Sequence, residues 1–186
     1  MSWTAIVPLK APGDRKRRLA ALVDDQRLQI TERLADHVLG VAAAHPEVTE
    51  VVLVSPAPRG AFAWRRDEGR GLNGELAAAR AALAGRDCLI LFADLPLLGG
   101  DDLSALFAAA HRHGAAIAPD RHGSGTNAIA LKAAVAFTFH FGAGSRALHA
   151  AAIAGEAIVD RRGLALDIDT EEDIALARGE GEEIDF

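Results

Sequence analysis

The sequence predicts an α/β fold, three layers deep (α/β/α), around a mainly parallel but mixed sheet. Three observations lead there. Short apolar runs of strand length alternate with helical patterns along the chain, a pattern that builds a sheet covered by helices on both faces. Residues 1–178 hold no internal repeat and no linker, so they read as one domain, with an acidic tail at 179–186. Hydrophobic residues make up 50% of the 186, enough for a self-sufficient core at this length.

The elements follow in order. TAIVPL (4–9) is a buried strand, and 25–44 carries Leu28, Ile30, Leu34, Val38 and Val41 at helical spacing, with Asp24 or Asp25 as cap. VVLVS (51–55) is a second strand, ended by PAPRG. Residues 56–72 are polar, aperiodic and Gly-containing, a loop over an opening. Asn73 is placed to cap a helix of Leu76, Arg80 and Leu83, closed by Gly85. CLILFA (88–93) is the central strand, and 101–113 a helix with acid at its start, His at its end and Gly114 beyond. AAIAP (115–119) and AIALKA (128–133) are strands, and 145–155 is a helix after a Gly-containing turn. AIVD (157–160) and LALDID (164–169) are short strands, and 170–178 is the last helix.

Composition narrows the function. A net charge of -6 argues against a nucleic-acid partner. No stretch approaches the about 20 apolar residues of a membrane span, and the N-terminus has no signal-like apolar region, so a cytoplasmic protein is expected. Cys88, the single cysteine, allows no internal disulfide and reads as a buried, inert thiol. Five cations (Lys10, Arg15, Lys16, Arg17, Arg18) fall within nine positions after the first strand. They make either a solvated basic loop or a contact for a polyphosphate.

Ligands of such sheets bind beyond the carboxyl ends of the strands, which singles out Lys10, Ser55, Asp94, Asp120 and Asp169. Asp167 and Asp169 stand two apart, so in a strand both project from one face. With Asp94 they make three carboxylates for a hard cation such as Mg²⁺. Asp169 is alternatively a cap for 170–178, a role also open to Thr170 with Asp173. HFGAGSRALH (140–149) and PDRHGSGTNA (119–128) are Gly-containing turns rich in N–H and hydroxyl donors that suit an anion. No Cys/His cluster has zinc spacing, no Walker-type loop is present, and no G-x-G-x-x-G opens a helix after the first strand. His111 and His113 read as surface residues and His149 as structural. Together the loops and the acidic set fit an enzyme that joins two phosphate-bearing substrates.

In order, I-V-P-L-K, K-R-R-L, V-V-L-V-S, G-L-N, F-A-D-L-P-L-L, A-P-D-R…G-T-N-A, F-G-A-G-S…H and L-D-I-D-T-E-E-D run over about 4–178. This series resembles the 2-phospho-L-lactate or phosphoenolpyruvate guanylyltransferases of coenzyme F420 biosynthesis. The resemblance implies the nucleotidyltransferase A-type fold, like that of the nucleotide-diphospho-sugar transferases. It implies transfer of GMP from GTP to the phosphate of a small phosphorylated carboxylic acid, with release of pyrophosphate. By motif, Thr126, Gly142 and Ser145 would hold the acceptor's phosphate, and Asp94, Asp167 and Asp169 would hold Mg²⁺. Lys10, Lys16 and Arg18 would meet the GTP phosphates, and Asn73 would lie beside the nucleoside. Two positions depart from the family: Arg17 replaces a small hydroxyl residue, and Arg146 replaces an aromatic one next to the acceptor turn. Arg146 is thus expected to meet a carboxylate of the acceptor and to favour a phospho-acid such as 3-phosphoglycerate. A molybdenum-cofactor guanylyltransferase, a cytidylyltransferase and a non-catalytic nucleotide-binding module are the alternatives. The oligomeric state stays open, with a homodimer among the expectations.

Overall fold

β1 (Trp3–Pro8) divides its side chains between two buried faces, with Trp3, Ala5 and Val7 on one and Ile6 on the other. The same alternation runs through its neighbours. Leu53, Leu89, Leu91, Ala116 and Ala130 join the first face, and Val54, Ile90, Ile117 and Ile129 the second, as the two-residue period of a strand dictates. A sheet apolar on both sides needs a cover on each. The computed structural model describes residues 2–9, 24–153 and 157–179. In it, α1 (Asp24–Ala44) and α3 (Gly100–His113) cover the first face through Val38, Leu39, Leu103 and Phe107. On the other side, α2 (Gly71–Ala81) brings Leu76 and Ala79, and the segment around α4 (Ser145–Ala151) brings Phe139, Phe141 and Ile153.

The remaining strands are β2 (Val48–Ser55), β3 (Ala63–Arg66), β4 (Asp87–Leu91), β5 (Ala115–Pro119) and β6 (Thr126–Leu131). They form one six-stranded sheet in the order β3-β2-β1-β4-β6-β5. β1 lies parallel to β2 and β4, and β2 parallel to β3, whereas β6 is antiparallel to both β4 and β5. The expected mixed α/β/α architecture is present. The reversal of β6 has a consequence for the site. Ala128 of β6 pairs with Leu91 of β4, and Thr126 with Pro119 of β5. The head of β6 therefore stands at the carboxyl edge of the parallel strands, where ligands of such sheets bind.

Several local expectations are corrected. Residues 56–72 are not all loop, because Ala63–Arg66 adds an edge strand, β3, beside β2. Its side chains are largely exposed, so no apolar alternation announced it. Asn73 does not cap α2, which begins at Gly71 with Arg70 as N-cap residue. The buried Glu75 does the capping: Oε1 accepts from the N–H groups of Glu68 and Arg70 at 3.0 and 2.9 Å. The bond from the Arg70 N–H leads in holding the Glu75 carboxyl below its ordinary range, against the opposing effect of burial. LALDID is not a strand either. A single helical turn, α5 (Arg162–Ala165), leads into an extended segment outside the sheet, and α6 (Glu171–Arg178) follows. Of AIVD, Ile158 makes one bridge, to Ile117. The N-cap of α6 is Thr170, paired with Asp173 in a capping box, so the Asp169 side chain is not the cap. The acidic tail beyond Gly179 lies outside the described residues. Among those residues, no helix is long and apolar enough to cross a membrane.

Candidate active site

β4 carries only buried residues from Cys88 to Leu91, and its apolar run ends where the strand leaves the sheet. Pairing lasts one residue more, through the Phe92 N–H to the Asn127 carbonyl at 3.1 Å. Two residues on, Asp94 emerges half-buried, and its carbonyl accepts the Ile168 N–H at 3.0 Å. That bond docks 166–169 against the end of β4. Ile168 is fully buried with Leu34 and Ile174, which turns its two neighbours the other way. Asp94, Asp167 and Asp169 each offer a carboxylate oxygen within 4.8 Å of the others. The convergence expected from strand geometry is thus achieved by an extended segment with no sheet partner. Like charges so close repel one another, and a cation among them removes that cost. A half-buried, all-oxygen donor set of this kind fits a hard divalent ion.

Asn127, next to Thr126 on β6, braces this acidic set. Its Nδ2 donates to the carbonyls of Leu164 and Ala165 at 3.0 and 3.1 Å and reaches Asp167 Oδ1 at 3.3 Å. Adjacent strand residues face opposite sides of a sheet, so Thr126 looks toward α4. There, Ser145 Oγ and His149 Nδ1 lie 3.3 and 3.0 Å from Thr126 Oγ1. The three side chains are buried, His149 completely. His149 Nε2 accepts the His140 N–H at 2.9 Å, and Phe137 and Phe141 pack on its ring with centroids 5.5 and 4.8 Å away. Burial, with a smaller effect of His140, pulls the His149 imidazole down to about 4, so it is neutral near pH 7.

The turn before α4 needs its glycines. Gly142 has φ 135 and Gly144 φ 70, in the region that disfavours side chains. Asn73 fixes the chain entering this turn: Oδ1 accepts the Phe141 N–H at 2.7 Å, and Nδ2 donates to the Phe141 carbonyl at 3.1 Å. The neighbouring turn is built on Asp120, which accepts from the N–H groups of Ser124 and Gly125 at 2.8 and 2.9 Å. A Cβ at Gly125 would lie 2.5 Å from that carboxylate. Arg146 ties the two turns together through its N–H to the Ser124 carbonyl at 3.2 Å. Its Nε is buried and has no hydrogen-bond partner among the described residues.

The structure therefore brings together Asp94, Asp167 and Asp169, and separately Thr126, Ser145 and Arg146 beside the Gly142 turn. Asn73 reaches that turn through its amide. Lys10, Lys16 and Arg18, with Arg15 and Arg17, lie outside the described residues. Cys88 is buried in β4, and burial pushes its thiol up to about 11, which removes it as a nucleophile. Sequence reasoning missed the Asn127 bridge and the contact of His149 with Thr126. A signal for the latter existed, because Ser145 and His149, four apart, share one helix face.

The family model described as "Guanylyl transferase CofC like" matches residues 3–183. Among curated proteins, the chain is 42% identical to a phosphoenolpyruvate guanylyltransferase of Sphaerobacter thermophilus, over 96% of this chain and 94% of that protein. It is 34% identical to one of Streptomyces coelicolor, over 97% and 93%. Among solved structures, it resembles a nucleotidyl transferase from Methanothermobacter thermautotroptrophicus, with a TM-score of 0.63 at 14% identity over 96% of each chain. A 4-diphosphocytidyl-2C-methyl-D-erythritol synthase gives 0.62 at 14% identity, over 95% and 96%. At such identities these two likenesses concern the fold alone.

Proposed function

The chain belongs to the CofC-like guanylyl transferase family, and from that premise we propose that it moves GMP from GTP to the phosphate of phosphoenolpyruvate or a close phospho-acid. An oxygen of the acceptor phosphate attacks the α-phosphorus, the bond to the β-phosphate breaks, and pyrophosphate leaves. The phospho-acid is itself the nucleophile, so the enzyme's task is to position two anions and offset their charge. The curated relatives are guanylyltransferases that carry phosphoenolpyruvate in their names, which supports both GTP and this acceptor class. The reaction would serve coenzyme F420 biosynthesis, in the cytoplasm.

The observation that carries the reading is the joining of the two half-sites through consecutive residues of β6. Asn127 braces Asp167 on the acidic side while Thr126 meets Ser145 on the other. Asp94, Asp167 and Asp169 would hold Mg²⁺, which when bound neutralises phosphate charge. Thr126, Ser145 and the Gly142 turn would hold the acceptor's phosphate through hydroxyl and N–H donors. Arg146, with its buried Nε, would face the acceptor's carboxylate. Lys10, Lys16 and Arg18 would gather the GTP phosphates, and Asn73 borders the nucleoside in this reading.

The test is pyrophosphate release with GTP and Mg²⁺ and, in turn, phosphoenolpyruvate, 2-phospholactate and 3-phosphoglycerate. Release is expected with at least one of the three and not without an acceptor. GTP binding with no release under any of them would point to a non-catalytic nucleotide-binding module, and equal rates with CTP would overturn the guanine preference.

A further inference from the structure

His149 sits at the end of a hydrogen-bond chain whose polarity can be worked out atom by atom. The His140 backbone N–H only donates, and it points at His149 Nε2 at 2.9 Å. Nε2 must therefore be the bare, accepting nitrogen. The proton of the neutral ring then lies on Nδ1, 3.0 Å from Thr126 Oγ1, so Nδ1–H donates and the Thr126 oxygen accepts. The Thr126 hydroxyl hydrogen cannot be spent on the imidazole. Ser145 Oγ lies 3.3 Å from the same oxygen. Two hydroxyls in contact use one hydrogen between them, whichever donates, and the other hydrogen has to point out of the triad.

The opposite tautomer gives the opposite result. With the proton on Nε2, the ring would face the His140 N–H donor to donor, and Nδ1 would take the Thr126 hydrogen. Ser145 would then donate to Thr126, and no hydrogen would remain for an incoming anion. The tautomer decides whether this pair of buried hydroxyls offers a donor or only lone pairs, and lone pairs repel a phosphate.

We infer that His149 is a positioning residue for the acceptor: held by the His140 N–H in its Nδ1–H form, it turns the Thr126–Ser145 hydroxyl pair into a donor aimed at the acceptor's phosphate. This rests on the reading that Thr126 and Ser145 bind that phosphate. His149 touches no substrate itself. Its action is confined to the acceptor, because Thr126 faces away from the acidic set that Asn127 braces.

His149→Phe removes both ring hydrogen bonds while keeping an aromatic ring among Phe137 and Phe141. Loss of one donor to a phosphate corresponds to about 10-fold or more. The variant is expected to raise the KM for phosphoenolpyruvate by at least that much and to leave the KM for GTP unchanged. His149→Asn, whose amide N–H stands where Nδ1–H did, should recover part of the loss. His149 acts through Thr126, so His149→Phe combined with Thr126→Val should be no worse for the acceptor than Thr126→Val alone. An unchanged acceptor KM in folded His149→Phe, additive losses in the double variant, or equal damage to both KM values would each overturn the inference. Thr126→Val with an unchanged acceptor KM would instead sink the acceptor-site reading, and the inference with it. Nitrogen-15 NMR of the wild-type ring decides independently of any variant's folding. Nδ1 protonated and Nε2 bare is the expected signature, and a proton on Nε2 contradicts it.

Discussion

Asp94 follows one of the most hydrophobic stretches of the chain, yet its backbone rather than its burial explains it. The carbonyl accepting the Ile168 N–H brings 166–169 to the strand end, so the carboxylate meets Asp167 and Asp169 within 4.8 Å. If the three act as one charge-stabilising set, Asp94→Ala should lower turnover by about 10²-fold or more. Steady-state pyrophosphate release measures this, and near-normal turnover would remove Asp94 from the site. Arg146 is one of the two positions, with Arg17, at which the resemblance implies a departure from the family's pattern. In the proposed reading, the buried guanidinium Nε of Arg146 offers the acceptor's carboxylate a charged donor that an aromatic ring lacks. Arg146→Phe should therefore change the ratio of kcat/KM for 3-phosphoglycerate to that for phosphoenolpyruvate by about tenfold, on the scale of one charged hydrogen bond. An unmoved ratio would mean that Arg146 has no part in choosing the acceptor.

At the scale of elements, the entry to α2 shows what a sequence conceals. Asn73 has the composition of a cap and is not one; it spends its amide on Phe141, 68 positions away. The cap is Glu75, inside the helix, whose carboxylate reaches back to two N–H groups and to the Arg70 guanidinium at 2.8 Å. Glu75→Ala strands those donors and should cost about 1–3 kcal/mol, read as a lowered denaturant midpoint with an unchanged m-value. Strands and helices with a clear apolar period were legible, among them β1, β2, β4, α1 and α3. So was the acidic set, because two-apart spacing survives in any extended segment, paired or not. What escaped depends on distant partners. β3 is held by its neighbour β2 with little burial of its own, and within LALDID a helical turn gives way to an extended stretch whose hydrogen bonds go to Asp94 and Asn127 rather than to a strand. The direction of β6, which carries Thr126 and Asn127 to the ligand edge, leaves no mark in a period-two pattern.

For the molecule as a whole, acid should act in two separable windows. Burial brings His149 from 6.5 down to about 4, so between those values the unfolded chain binds a proton that the folded chain refuses. Stability therefore rises with pH through that window and falls as pH drops from 6.5 toward 4. A displacement of that size is worth about 3 kcal/mol. The carboxylates act lower. Asp173 is pushed up by burial, but Thr170, the Asp169 and Thr170 N–H groups and Arg121 together hold it below 3.8. Glu75 lies below 4.5, led by the Arg70 N–H. Both have the same sign as His149: their contribution is full above the unfolded value and is lost as pH falls through the folded one. A wild-type stability curve from denaturant midpoints should thus decline in two stages. His149→Phe should flatten the stage between 6.5 and about 4 and leave the lower one, whereas Glu75→Gln should shrink the lower stage, which Asp173 still sustains, and leave the upper one. If His149→Phe keeps the upper stage intact, the buried imidazole is not its source.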